Sequence, residues 1–389
     1  MKHILIISNK AAFPSSDGGA IAIKSLCENL ISKNYQLDIV AINKSRKQLK
    51  KPIETKINKK ITQIVFMKRM NFNIVEFSKS LFTNTSYQAS RFYSEEIRFF
   101  IQSLIDQKKY KYIIFESIFT TVYLQKLKIS NVSKLILRAH NVEHRIWQDL
   151  AKNSVMKKIF FLFMSSQIKS METTMPKHID YIFTLSTLDQ KYFSSIFPEK
   201  TYNIPVTFNT DYTPSEKIKN TIVHLGAMNW MPNIEGINWF INEVLPRIKK
   251  ISPTIKTHIA GKGMPEKYFN YNDENTVIEG KIDNAKNYIL NKEIMFVPLF
   301  SGSGIRIKIL EGMSFGMPVI STSKGAEGIP YSHLENIIIA NTTTEFFNAI
   351  SLLIENKKLA KKIGKNGQLL IKKYFSKKFV INQLNNIID

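Results

Sequence analysis

A chain of 389 residues that is 44% hydrophobic can bury more than one core, so two domains are expected. A formal charge of +24 favours acidic partners, yet the basic residues are dispersed and no helix-turn-helix, zinc-finger or aromatic RNA-binding pattern accompanies them, so nucleic acid is not the expected partner. The one cysteine, Cys27, excludes a disulfide framework and fits a reducing compartment, and no run reaches the ~18 apolar residues that span a bilayer.

The first residues, MKHILIISNK, are too short for a secretory apolar region. They read as a buried strand, His3 to Ser8, in a cytoplasmic protein. A loop from Asn9 to Gly19 leads to a helical period over Ala20 to Ser32, which places Cys27 in the core. Tyr35 to Ile42 is a second strand, the lysine-rich stretch Asn43 to Lys60 a surface excursion, and Ile61 to Met67 a further strand. Asn71 to Asp106 is aromatic-rich and mostly helical, and Lys111 to Phe115, Lys134 to Leu137, Asp180 to Thr184 and Tyr202 to Ile204 continue the strands. Between them, Lys152 to Lys169 is basic and very apolar, and suits either an interfacial helix or one buried between domains. Strands alternating with helices imply a parallel sheet.

The rhythm breaks over Val206 to Lys219, which holds Pro214 and no period, so 206–219 is the expected linker between a domain at 1–205 and another at 220–374. Thr221 to Leu225, Thr254 to Ala260, Thr276 to Glu279, Ile294 to Val297, Pro318 to Ser321 and Asn336 to Ala340 read as strands. Glu235 to Lys250 is the clearest amphipathic helix, and the tail from Thr344 to Asp389 has helical pattern throughout.

Chemistry concentrates in Ile294 to Ile329. An apolar strand end meets the turn Ser301-Gly302-Ser303-Gly304, then a helix with Ile305, Ile309, Leu310 and Met313 on one face, then Gly316 and a new strand. The first amides of a helix are unpaired and carry roughly half an elementary charge, and glycines let a phosphate approach them. Arg306 and Lys308 add two cations at the end where the helix dipole disfavours them, a conflict that a bound anion removes. Glu311 lies about one turn further on, where a carboxylate accepts from paired sugar hydroxyls or merely pairs with Lys308.

In the first half, Gly18 and Gly19 precede a helix and could admit a phosphate by the same geometry. Their spacing is not G-x-G-x-x-G, and the chain has no P-loop. His140-Asn141-Val142-Glu143-His144 follows a strand at its carboxyl end, where open α/β sheets place ligands. His-x-x-Glu-His also occurs in metalloproteases, but on a helix and with a further ligand, so no metal is expected.

The run Ser301-Gly302-Ser303-Gly304-x-Arg306-x-Lys308-x-x-Glu311-x-Met313-x-x-Gly316-x-Pro318-Val319-Ile320-x-Thr322 resembles the donor-site signature of family-4 retaining glycosyltransferases. Leu225-Gly226-Ala227-Met228-Asn229-Trp230-x-Pro232-Asn233 and Arg138-Ala139-His140-Asn141-x-Glu143-His144 are also similar to that family. The resemblance implies the GT-B fold: two Rossmann-like, doubly wound α/β domains facing across a cleft, with the last helix, 375–389, packing back on the first. It implies a nucleoside-diphosphate sugar bound by the second domain, a glycan or lipid-linked acceptor on the first, and surface polysaccharide or glycoconjugate synthesis. No cofactor and no metal are implied. Glu311 would hold the ribose, Arg306 and Lys308 the diphosphate. Gly18, Gly19, Gly226, Ser303, Gly304 and Glu327 would border the donor, His140 would be catalytic and face a sugar, and Asn141 and Glu143 would meet the acceptor.

Ser303 departs from the pattern, because many members carry a first Glu there, and Gly226 is followed by no Arg or Lys before Arg247. A sugar-nucleotide epimerase on the same fold would need clustered carboxylates and histidines for two proton transfers. That alternative, a basic nucleic-acid binder and a catalytically silent subunit stay open beside the transferase. The basic charge also leaves an anionic membrane surface open as a partner, peripheral on the inner face.

Overall fold

The computed structural model describes residues 2–15, 17–45, 51–82, 86–152, 156–212 and 216–388. Two compact units divide the chain, Met1–Val206 and Thr207–Asp389, and the last helix, Lys377–Asn385, counts with the second. Pro214, in the expected linker, lies outside the described residues.

The first unit is built on eight strands: β1 Lys2–Ser8, β2 Tyr35–Ser45, β3 Ile53–Asn58, β4 Ile61–Arg69, β5 Tyr110–Glu116, β6 Lys134–Ala139, β7 Tyr181–Thr184 and β8 Thr201–Asn203. They form one sheet in the order β3-β4-β2-β1-β5-β6-β7-β8. Helices cover a parallel sheet on both faces, so its central strands are apolar without alternation: Ile4, Leu5, Ile6 and Ile7 are all fully buried. The exception is β3, which pairs antiparallel with β4 at the sheet edge. It occupies part of the stretch expected as a surface excursion, and β2 itself runs on to Ser45. An edge strand has one neighbour and no covered face; β3 is nearly all exposed and so lacks an apolar signal.

The second unit has six strands, all parallel: β9 Thr221–Leu225, β10 Lys256–Ala260, β11 Thr276–Glu279, β12 Ile294–Val297, β13 Val319–Ser321 and β14 Ile338–Ile339, ordered β11-β10-β9-β12-β13-β14. Its core gathers Phe240, Phe296 and Phe346 with Ile222, Ile259 and Ile294. The expected helix Glu235 to Lys250 is longer and interrupted. Met231–Trp239 passes into a π turn, Phe240–Val244, and then Leu245–Ile251. Pro246 has no N–H to donate back, which accounts for the irregular turn ahead of it. The tail is three helices, Thr343–Glu355, Lys357–Tyr374 and Lys377–Asn385, the first opened by a capping box of Thr342 and Glu345.

In each sheet the chain runs outward in both directions from a central pair, β1 beside β5 and β9 beside β12. At such a switch point the loops leaving the carboxyl ends diverge and open a crevice. The loops after β9 and β12 carry Gly226 and the turn 301–304; those after β5 and β6 carry Ser117 and His140.

Candidate functional site

In the second unit the helix after the glycine turn is Ile307–Ser314, with Arg306 in extended backbone as its N-cap. Gly302 and Gly304 have φ of +96° and +80°, the left-handed region that glycine enters without strain. That curl returns the turn's carbonyls toward Arg306, whose guanidinium donates to Ser303 O at 2.5 Å, to Gly304 O and to Ser301 O at 3.4 Å. Arg306 is buried, and its guanidinium carbon lies 5.6 Å from the centre of the Trp230 ring. Ser301 Oγ donates to Glu235 Oε2 at 2.5 Å, pinning the turn to the helix Met231–Trp239. Arg306 therefore braces the loop from within.

Lys308 sits one residue inside the helix and turns the other way. Its Nζ donates to Asn233 Oδ1 at 2.7 Å and lies 3.4 Å from His224 Nε2. His224 Nδ1 lies 3.0 Å from Phe296 O and donates to it, so Nε2 is left as the bare acceptor facing Lys308. Burial, followed by the Lys308 charge, holds His224 well below its ordinary value and keeps it neutral. Burial and then the neighbouring Arg306 push Lys308 down to about 7. Gly226 makes room for this group: a Cβ there would come within 2.5 Å of Lys308 Nζ and 2.9 Å of Asn233 Nδ2. Two cations meet at one helix N-terminus, and the partner of Lys308 there is the neutral amide of Asn233.

Glu311 follows on the same helix. No ion pair or side-chain hydrogen bond engages it among the described residues, and burial raises its carboxyl above the usual range. Lys308 is committed elsewhere, so the two do not form the helix-surface pair that their spacing allows. Ser303 is half-buried in the turn and supplies its carbonyl to Arg306. Glu327 is half-buried and pairs with Lys324 at 2.8 Å.

In the first unit, His140 Nε2 lies 2.5 Å from Glu116 Oε2. Burial pushes Glu116 up, but Arg138 and His140 outweigh it and hold its carboxyl below the usual range. The proton between them thus belongs to His140 Nε2, and Nδ1 is the atom left for a ligand. Arg138 Nη1 donates to Glu116 Oε1 at 3.1 Å and to Ala22 O at 2.8 Å, with both charged side chains sealed from solvent. Asn141 Nδ2 donates to Glu143 Oε1 at 3.1 Å, and burial pushes Glu143 up to about 7 despite that bond. Glu172 receives the Glu143 amide at 2.6 Å and His144 Nδ1 at 2.6 Å. The two histidines of the His-x-x-Glu-His run thus serve different carboxylates, and among the described residues no group of three His, Cys, Asp or Glu is placed to hold a metal.

Gly18 and Gly19 open the helix Gly18–Ser32, but Asp17 caps it by accepting from Ala20 N at 3.0 Å, and Lys10 pairs with Asp17 at 3.0 Å. That N-terminus already holds an anion of its own.

The structure thus joins Gly226, Ser303, Gly304, Arg306 and Lys308 in one place and sets His140, Asn141 and Glu143 in another. His224, Glu116 and Glu172 escaped sequence reasoning, since a buried polar residue inside a strand or helix has no periodic signature, and the half-buried Glu235 had no role assigned. Asn233 and Trp230 stood in a quoted stretch without a role.

Residues 219–356 match the sequence model of the family described as Glycosyl transferases group 1. Over its whole length the chain is 25% identical to a Klebsiella pneumoniae protein described as an uncharacterized 44.6 kDa protein in the cps region, covering 99% of both chains. The fold is similar to that of sucrose-phosphate synthase from Thermosynechococcus elongatus, with TM-score 0.73, 14% identity, and 100% and 98% of the two chains covered. It is also similar to S. aureus TarM solved with UDP and α-GlcNAc-glycerol, at TM-score 0.70, 13% identity and 99% of both chains. Anabaena HepE, solved with UDP and glucose, aligns at TM-score 0.64, 12% identity and 98% of both chains. The fold is GT-B, two Rossmann-like domains.

Proposed function

We propose that the protein transfers a sugar from a nucleoside-diphosphate sugar to a glycan or lipid-linked acceptor, with retention, in the synthesis of a surface polysaccharide. The observation that carries this is Lys308: a half-buried lysine with no carboxylate partner among the described residues, at a helix N-terminus on the sheet's switch point. Holding a cation there costs free energy that a diphosphate recovers. As the glycosidic bond breaks, the leaving diphosphate gains negative charge, which Lys308 and the first helix amides are placed to meet. Arg306 keeps the glycine turn curled for that contact. Glu311, open and half-buried, is the acceptor for the ribose hydroxyls. His140, aligned by Glu116, offers Nδ1 to the transferred sugar, with Asn141 and Glu143 toward the acceptor.

The relatives support this reading: structures of similar fold were solved with UDP, and a homologue is encoded in a cps region. A thermal-shift screen with the diphosphates of uridine, guanosine and adenosine, and with their sugars, tests it. One class should raise the melting temperature of the wild type and not of Lys308→Met. No response to any of them, with Lys308→Met and Glu311→Gln indistinguishable from wild type, overturns it.

A further inference from the structure

The helix Ile74–Phe82 buries little: of its side chains Ser80 alone is buried among the described residues. The Phe77 ring lies 5.6 Å from Phe160, 5.9 Å from Phe163 and 5.4 Å from Tyr87, and the Ser80 carbonyl accepts from Gln167 Nε2 at 2.7 Å. These contacts tie it to the helix Lys158–Thr174, and they bury little else. Ile74 is 70% exposed, Phe82 89%, and Ile159, at the start of the second helix, 85%. Phe72, Val75 and Leu162 are exposed as well, and Val75 lies with Ile74 and Phe82 along one shallow groove. Single exposed apolar residues need no explanation, but a run of them on two touching helices does.

Charge decides between occupants. Lys79 lines the groove beside Ile74 and Phe82, and Lys157, Lys158 and Lys169 are exposed at and along the second helix. Glu76 is the one acidic residue between 71 and 82, and there is none between 156 and 171. A second copy of this chain would bring the same lysines against one another across a two-fold axis. A bilayer of anionic lipid answers both features, since headgroups pair with ammonium groups while aromatic and branched side chains enter the acyl boundary. The helix Lys158–Thr174 is then half of the surface: Met164 and Ile168 are buried, Ile159 and Leu162 exposed. The helix Ile74–Phe82 is the other half. Among the described residues no helix is long and apolar enough to cross a membrane, so the contact is one of lying on the surface.

We infer that the exposed faces of Ile74–Phe82 and the first turns of Lys158–Thr174 together form a docking surface for an anionic membrane. The inference needs neither donor nor transfer, so it stands or falls separately from the transferase reading.

Co-sedimentation of the full chain with vesicles tests it. Wild type should sediment with vesicles containing one part phosphatidylglycerol to two of phosphatidylcholine, not with phosphatidylcholine alone, and should be released by high salt. Ile74→Glu with Phe82→Glu should lower the bound fraction about tenfold while leaving the melting temperature and any donor-induced shift unchanged. The milder pair Phe82→Ser and Ile159→Ser should do the same to a smaller extent. Equal binding by wild type and both variants, or no binding by wild type, overturns the proposal. So does a wild-type dimer in sedimentation velocity that Ile74→Glu with Phe82→Glu makes monomeric.

Discussion

Lys308 Nζ lies 2.7 Å from Asn233 Oδ1, a neutral partner that satisfies a donor without balancing a charge. An amine so placed is pushed down to about 7, so near neutrality it is divided between two protonation states. A diphosphate binds the charged one. Affinity for the nucleoside diphosphate should therefore weaken as pH rises above 7, by up to about tenfold per pH unit, and Lys308→Met should abolish that dependence. Titration calorimetry at pH 6.5 and 8.5 reads it. Stability runs the opposite way. The unfolded chain holds this proton up to about 10.5 and the folded chain only to about 7, so stability falls as pH drops across that interval. The ligand-free Lys308→Met protein should accordingly melt higher than wild type at pH 7.

Glu311→Gln keeps the shape of the side chain and removes its charge. No group compensates this carboxylate in the free protein, so the variant should be as stable as wild type or more so. Nucleotide affinity should fall by about 1.5–3 kcal/mol, the range for a hydrogen bond to a charged group. Comparing the nucleoside diphosphate that the thermal-shift screen selects with its 2′-deoxy analogue isolates the ribose: wild type should distinguish the two, and Glu311→Gln should not.

Glu116 and His140 should separate under mutation. Glu116→Ala leaves the Arg138 guanidinium sealed in the core without its counter-charge, at a cost of about 3–5 kcal/mol. Urea unfolding reads that loss directly. His140→Ala removes a group at the edge of the cluster, so it should change stability little while lowering kcat sharply. If His140→Ala turns over like wild type, His140 has no part in the reaction.

Glu143 gives a pH test in the first unit. Its carboxyl is raised in the fold to about 7 from 4.5, so the stability it supports is fully present below pH 4.5 and lost as pH rises through 7. Glu143→Gln should match wild type at pH 4.5 and exceed it at pH 8, as differential scanning calorimetry at the two values would show.

The strands were legible because parallel strands buried on both faces leave unbroken apolar runs, as in Ile4 to Ile7 and Ile294 to Val297. The exposed edge strand Ile53–Asn58 left no such trace. The glycine turn, its cations and Glu311 were readable for a local reason: a helix N-terminus and the residues that serve it lie within one short stretch. The partners of those residues were not. Asn233 and His224 reach Lys308 from 75 and 84 residues away, and Glu172 reaches Glu143 from 29.

From the amino-acid order alone came two α/β units, the place of the glycine turn and the charges beside it, since each follows from neighbours along the chain. The tertiary structure decided what those charges do. It sent Arg306 to the turn's own carbonyls, set Lys308 beside Gly226 against the neutral amide of Asn233, and set Glu116 against His140. A charge's effect depends on what surrounds it in space, and only folding brings those distant groups within a few ångströms.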